Sequence, residues 1–323
     1  ESIEQIEGIT NPYAKNKPEG KAGIINIVLK QNRQTGYYGS VQSGVDTRGG
    51  YNFSTNLNYS TGKLESFLNL SYREEKDKGE GYSYRNNLDE NGSILSFVNQ
   101  HKNDKEKESS YIARAGATYN FTPKNSLSLN LFGMMDKETE DEEIRYTSNI
   151  PNSYISSLRT SGLKEKLKLG NIELNYKHAF TENSNLDLIV SHQILDLSSD
   201  NTFNQSYLYL DNIASDSYQF QQTKMNIRMW ELQADYINEF GDNNKVEAGY
   251  KGDLSTRESP VETLSGLTPG TAVNNELLYN DFRYNQDVHA LYTTYSRRIN
   301  NFGFQLGLRG EYTHVTGKIR DMK

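Results

Sequence analysis

Apolar and polar residues alternate with a period of two along many segments of this chain. The pattern is clearest in Tyr51–Ser60, where the odd positions suit an apolar face and every even position is polar. It recurs in 64–73, 127–131, 172–176, 186–190, 230–236, 246–250 and 302–308. A strand places successive side chains on opposite faces, so each segment predicts a strand with one apolar and one polar face. Tilted strands of about 9–11 residues cross a bilayer, and the two longest segments, 51–60 and 64–73, have that length.

Polar breaks divide the pattern at intervals of roughly 60 residues, which predicts hairpin units of two strands each. Five short breaks lie at 61–63, 122–125, 181–184, 241–244 and 300–301. Between them lie four long polar stretches, predicted to be loops, at 74–92, 136–156, 198–217 and 257–275. Short periplasmic turns and long outer loops are typical of transmembrane barrels. We expect the charged run 102–107 on a strand extension above the membrane, and an inner aromatic belt near the short turns at Tyr119, Phe121, Tyr176, Phe180, Tyr236 and Phe240.

Composition favours a membrane barrel over a soluble or disordered chain. Hydrophobic residues make up 34 %, which is low for a globular protein, yet 23 tyrosines and 12 phenylalanines are too many for a disordered one. A barrel needs only one apolar face per strand and concentrates aromatic residues at the membrane interfaces. The sequence contains no run of 18 apolar residues, so it predicts no transmembrane helix. The net charge of −7 argues against nucleic acid as a partner, and the absence of cysteine excludes disulfides and thiolate chemistry.

The first thirty residues are predicted to form a strand, a loop and a second strand. Residues 2–7 alternate, Thr10-Asn11-Pro12 is a turn signal, and residues 23–30 form a dense β-branched run. With its glycines, this segment resembles the C-terminal end of the plug domain of TonB-dependent outer-membrane receptors, in the version typical of Bacteroidetes-type bacteria. In that family the plug fills a large β-barrel that follows directly in sequence. The resemblance makes Pro12, Gly20, Gly23 and Asn26 structural plug-signature positions.

Counting hairpins predicts about eleven strands, the last running from Phe302 toward Ile319. The predicted fold is all-β, an antiparallel transmembrane barrel preceded by the tail of a plug. Residues 1–30 are expected to end the plug, residues 31–35 to link, and residues 36–323 to form the N-terminal half of the barrel. Plugged transporters have about 22 strands, and an odd strand count cannot close an antiparallel barrel. We therefore expect a fragment holding about eleven of 22 strands.

No catalytic motif is present, so we expect neither an enzyme nor a cofactor. The five histidines are far apart and lack metal-site spacing: His101, His178, His192, His289 and His314. His178, His192 and His314 share strand parity with apolar neighbours, which favours interface positions over a metal site.

Three further patterns have a functional and a structural interpretation. The carboxylates Glu138, Glu140, Asp141, Glu142 and Glu143 are a candidate calcium site, although we favour a solvated external loop. Alternating Lys164, Lys166 and Lys168 could contact lipopolysaccharide phosphates, although a solvated strand extension is favoured. Tyr82, Tyr84, Tyr154, Tyr207, Tyr209 and Tyr279 form either a capture surface for a ligand or ordinary loop packing.

The predicted location is the outer membrane of a Gram-negative bacterium, with outer-membrane lipid and lipopolysaccharide as surroundings. The resemblance implies TonB-dependent uptake of a scarce or bulky extracellular ligand, energised by a TonB-type protein through a segment that this chain does not contain. The alternative is a passive, porin-like or structural barrel without energised transport. A soluble all-β adhesin or enzyme is a third possibility, disfavoured by the low apolar content. The ligand's identity does not follow from the sequence.

Overall fold

The computed structural model describes residues 3–9, 24–29, 35–150, 153–211, 214–241 and 243–319, with side chains described from residue 35 onward. Over these ranges the regular structure is almost entirely β-strand. Two single 3₁₀ turns interrupt it, at Pro269–Thr271 and Glu276–Leu278. No helix among the described residues has the length and apolar character needed to span a membrane.

Two short strands near the start of the chain form an antiparallel pair. They are β1 (Ile3–Ile9) and β2 (Ile24–Leu29), and Ile6 lies opposite Ile27. The two strands predicted for this segment are therefore confirmed, while its assignment to a plug stays a prediction. Of the plug-signature positions, Pro12, Gly20 and Gly23 lie outside the described residues. Asn26 lies on β2, where only the backbone is described.

All the remaining strands belong to one antiparallel sheet that follows the order of the chain. Its strands are β3 (Gly36–Val45), β4 (Tyr51–Ser60), β5 (Leu64–Leu88), β6 (Ile94–Thr122), β7 (Asn125–Ser148), β8 (Tyr154–Thr181), β9 (Ser184–Tyr209), β10 (Ala214–Phe240), β11 (Asn244–Gly266), β12 (Val273–Asn274), β13 (Asn280–Ile299) and β14 (Phe302–Ile319). The two-residue β12 pairs only with β11, off the main path. The main path thus holds the eleven long strands that the sequence predicts, ending in the predicted Phe302–Ile319 strand.

Tight turns at one end of the sheet join the strands where the sequence predicts them. At the first, the Thr61 side-chain oxygen accepts a hydrogen bond from the Leu64 amide at 2.9 Å. At the fourth, Gly241 and Asn243 adopt positive φ angles of 55° and 67°, a conformation that glycine and asparagine tolerate. Asn300 does the same in the last turn, with φ of 51°.

The prediction of four long polar loops at the opposite end is wrong. Most of residues 74–92, 136–156, 198–217 and 257–275 lie on continuous strands of 23 to 29 residues, leaving only brief connections at most tips. One such tip is Asp89–Ser93, where the Asp89 amide bonds the Ser93 carbonyl at 2.8 Å. The hydrophobic alternation ends at these stretches because both faces become polar. The backbone pairing nevertheless continues, and cross-strand ion pairs accompany it.

The distribution of buried residues is inverted relative to a water-soluble protein. Among the described residues, the buried apolar side chains are four: Ile144, Val288, Ala290 and Tyr292. Twelve buried residues are polar or charged, and most of them are serines. On β8 the outward Ile172 and Leu174 are 54 % and 43 % exposed, whereas the intervening Glu173 is half-buried. The crowded face is therefore the polar one, which means that the sheet curves with its polar face on the inside.

The upper edge of the apolar face crosses the sheet obliquely. One register row contains Tyr72, Tyr111 and Met135 and continues through Lys168, Asp196 and Asn226. On the outer face of β10 the apolar band ends at Trp230, because the next outward residues are Arg228 and Asn226; Trp230 is four residues closer to the short turn than Asn226. Strands tilted against a membrane produce such a drift, since hydrogen-bonded rows then run at an angle to the bilayer plane.

Candidate functional site

The outer face carries an apolar band next to the short turns. On β8 it runs from Gly170 to Phe180, eleven residues, and its outward side chains include Ile172, Leu174 and Tyr176. This is the span expected of a tilted strand that crosses a bilayer. Near the turns the predicted aromatic belt is present, with Tyr119 and Phe121 rings 5.0 Å apart and Phe180 and Tyr236 rings 6.2 Å apart.

The predicted interface histidines lie on this outer face. His192 stacks on Trp230 at the upper edge of the band, with ring centroids 4.3 Å apart, and His178 meets Phe180 edge-on at 4.4 Å. His314 lies opposite Asp287, on the outward row of β13 and β14. Each of the first two histidines therefore contacts an aromatic ring of the band.

Above the band, the outward positions of β5 to β8 are rich in lysine. We call this set the lysine belt: Lys76, Lys78, Lys105, Lys107, Lys137, Lys164, Lys166 and Lys168. All eight are exposed. Three pairs stand directly opposite one another in the register: Lys76 with Lys107, Lys78 with Lys105, and Lys137 with Lys166. Like charges in directly opposed positions destabilise a sheet unless an anion intervenes.

One such pair has its own anion. The carboxylate of Glu74 lies 3.3 Å from the Lys76 ammonium and 3.1 Å from that of Lys107, with only 9 % of its side chain exposed. The Lys107 hydrogen bond holds the pKa of Glu74 below its usual range, against the opposing effect of burial, and Tyr72 and Lys76 add to the lowering. The Tyr72 hydroxyl donates to the same carboxylate at 3.1 Å.

The inner face of the same strands is acidic. Glu75, Glu108, Glu138 and Glu165 occupy one register row across four adjacent strands, which we call the acidic row. Burial raises the pKa of Glu138, and the neighbouring carboxylates of Glu106, Glu165, Glu108 and Glu140 raise it further. The acidic row is thus a line of half-buried carboxylates, and the carboxylates beside Glu138 disfavour its charged form.

The five candidate calcium ligands of the sequence do not converge. Glu138, Glu140 and Glu142 point inward, whereas Asp141 and Glu143 point outward, because they alternate along β7. Glu142 instead pairs with Lys102 at 2.5 Å. Burial raises the pKa of Glu142, but hydrogen bonds from Lys102 and Ser161 outweigh it and lower the pKa overall. Over the described residues, no group of three or more such side chains could hold a metal ion.

The predicted tyrosines divide between the two faces. Tyr82 and Tyr84 lie outward on β5, and Tyr279 follows the second 3₁₀ turn. Tyr154 and Tyr207 lie on the inner face with rings 5.5 Å apart, and Tyr209 is 6.4 Å beyond Tyr207. Burial raises the pKa of Tyr154, followed by the effects of Tyr146 and Tyr207. Tyr146, which the sequence did not single out, therefore joins an inner tyrosine cluster at the upper rim. The pairing of Tyr146 and Tyr207 with Ser157 reveals it.

A second inner network lies at the depth of the apolar band and was also missed by the sequence. The Tyr292 hydroxyl donates to Asp235, and the Gln233 amide donates to the same carboxylate at 2.6 Å. Beside them, Lys251 pairs with Glu231 at 2.8 Å, with 18 % and 25 % of the side chains exposed. These residues are dispersed over three strands, so only the register brings them together.

Comparison with known proteins agrees with this geometry. Residues 177–322 match the model of the outer membrane protein beta-barrel family. No curated protein matches the chain. The match covers the region from the end of β8 to β14, where the apolar outer face and the polar inner face are both present. The chain is therefore an all-β, antiparallel outer-membrane β-barrel sheet, located in the outer membrane of a Gram-negative bacterium.

Proposed function

We infer that this chain belongs to a plugged barrel that imports a scarce or bulky extracellular ligand with energy from a TonB-type partner. The observation that carries the proposal is the order of its parts. The plug-like pair β1 and β2 ends at Leu29, and the first long strand of the sheet begins at Gly36, so that six residues, 30–35, separate the two. In the receptors that this segment resembles, the plug is followed by the barrel in the same way.

The sheet itself supports a wide lumen. Eleven long strands follow one another in the sheet, so a barrel that includes them has more than eight strands. Side chains fill the interior of an eight-stranded barrel, whereas a larger barrel leaves an open lumen. The inner face is lined with carboxylates, amides and hydroxyls, which suits either a polar plug or a hydrated passage. In this proposal the inner tyrosine cluster at the upper rim binds the arriving ligand. Neither catalysis nor a resident cofactor forms part of it.

Growth genetics distinguishes energised import from a passive barrel. A panel of iron, vitamin, peptide and glycan sources is offered to strains lacking this gene, lacking the energising protein, or lacking both. Energised import predicts the same defect on the same nutrient in both single deletions, with no further loss in the double deletion. A defect that persists regardless of the energising protein would contradict the proposal and favour the porin-like alternative.

A further inference from the structure

We propose that Lys137, Lys166 and Lys168 of the lysine belt bind a phosphate group of the glycolipid in the outer leaflet of the membrane. Lys137 and Lys166 stand opposite each other on β7 and β8, and Lys168 is the next outward residue on β8. Neighbouring strands lie about 5 Å apart and alternate residues about 7 Å apart, so three flexible ammonium groups can converge on one tetrahedral anion.

The chain contains an internal precedent for this arrangement. At Lys76 and Lys107, also directly opposed, the carboxylate of Glu74 lies within 3.3 Å of both ammonium groups. At Lys137 and Lys166 the equivalent neighbours are Met135 and Lys168, and neither is an anion. Within the described residues, no carboxylate oxygen lies within 4 Å of these three lysines. An anion from outside this part of the chain would relieve their repulsion.

Neighbouring acids on the outer face are engaged elsewhere or stand apart. Asp196 lies opposite Lys168 in the register, but its carboxylate pairs with Arg228 at 2.7 Å. Asp200, opposite Lys164, accepts a hydrogen bond from Gln222 at 2.9 Å. Asp141 is exposed on the outer row of β7, opposite Gly162 and two positions beyond Thr139.

The height of the three lysines selects a lipid as the source of the phosphate. Met135 on β7 and Gly170 on β8 are the last positions of the apolar band, and Lys137 and Lys168 are the next outward residues. The ammonium of Lys137 also lies 5.8 Å from the centre of the Tyr111 ring, which belongs to the upper edge of the apolar band. Short turns mark the periplasmic side, so this edge faces the outer leaflet. Lipid phosphates form the layer immediately outside the hydrocarbon region.

The test measures glycolipid retained by the full-length protein after extraction in mild detergent. The probe is bis-phosphorylated lipid A in mixed micelles, compared with its dephosphorylated form, and native mass spectrometry counts the bound copies. The variant Lys137→Gln/Lys166→Gln/Lys168→Gln is expected to retain about tenfold less of the phosphorylated lipid, since each lysine near an anionic surface contributes appreciably to binding. The matched control, Lys63→Gln/Lys124→Gln/Lys245→Gln, removes the same charge at the short-turn end and should bind as wild type.

Two further variants and one competitor complete the design. The triple lysine-to-arginine variant keeps the charge and is expected to bind as wild type. If the glutamine variant lacks the heat-modifiable band of a folded barrel, Lys166→Gln alone should still show a severalfold loss. Equal retention by wild type and glutamine variants, or equal retention of both lipid forms, would overturn the proposal. Displacement by inorganic phosphate at equal concentration would overturn the assignment to a lipid.

Discussion

The inner and outer faces of β5 to β8 carry opposite charges at the same height. At the acidic row each strand has a glutamate next to a lysine in sequence: Glu75-Lys76, Lys107-Glu108, Lys137-Glu138 and Glu165-Lys166. In the sheet, all four glutamates point inward and all four lysines point outward. Below them, on the same strands, the faces differ in hydropathy instead. The two faces of these strands therefore differ along their whole length. In the membrane band they differ in hydropathy, and above it they differ in the sign of their charge.

The largest effect is expected where an outward residue of the apolar band receives a charge. Leu174→Arg places a guanidinium on the lipid-facing side of β8 near the middle of the band, and the free energy of unfolding should fall by about 2–4 kcal/mol. The adjacent inward variant, Asn175→Arg, should change it little because that face is polar. Urea titrations of both variants in lipid vesicles measure the difference. Equal losses at the two positions would mean that the faces are not distinct.

A smaller loss is expected from Glu74→Gln on the outer face. This carboxylate pairs with both of two opposed lysines, and its folded-state pKa is lowered. Its stabilising contribution is therefore present at neutral pH and is lost as the pH falls through the lowered pKa. Unfolding at a series of pH values should show the variant less stable than wild type near neutrality, with the two converging in acid. An unchanged or increased stability near neutrality would contradict the role assigned to Glu74.

The opposite sign is expected for Glu138→Gln on the inner face. Burial and neighbouring carboxylates raise the pKa of Glu138, so its charged form opposes folding once the pH exceeds that pKa. The variant should be more stable than wild type near neutrality by about 0.2–1 kcal/mol, the range of cross-strand pair energies. This gain should vanish in acid, where wild type is already protonated. The same titration as for Glu74→Gln measures it, and a loss of stability near neutrality would refute the repulsion.

The membrane band was predictable from the sequence because hydropathy alternates there with a period of two. Strand count, turn positions and the outward placement of His178 and His192 all follow from that pattern. The stretches 74–92, 136–156, 198–217 and 257–275 were mistaken for loops because polar residues occupy both faces over much of their length, so hydropathy does not alternate clearly there. The acidic row and the lysine belt depend on register across four strands, and the pairing of Tyr292 with Asp235 joins residues 57 positions apart. A single strand's sequence does not specify such pairings.

Trp230 offers the most direct test that the outer face meets lipid. It is the single tryptophan of the chain, it points outward beside His192 at the upper edge of the band, and it is 48 % exposed in the isolated sheet. In vesicles whose lipids carry bromine on the acyl chains near the headgroup, its fluorescence should be strongly quenched, with little quenching by aqueous iodide. Insensitivity to brominated lipid together with efficient quenching by iodide would contradict the lipid-facing band and, with it, the membrane barrel.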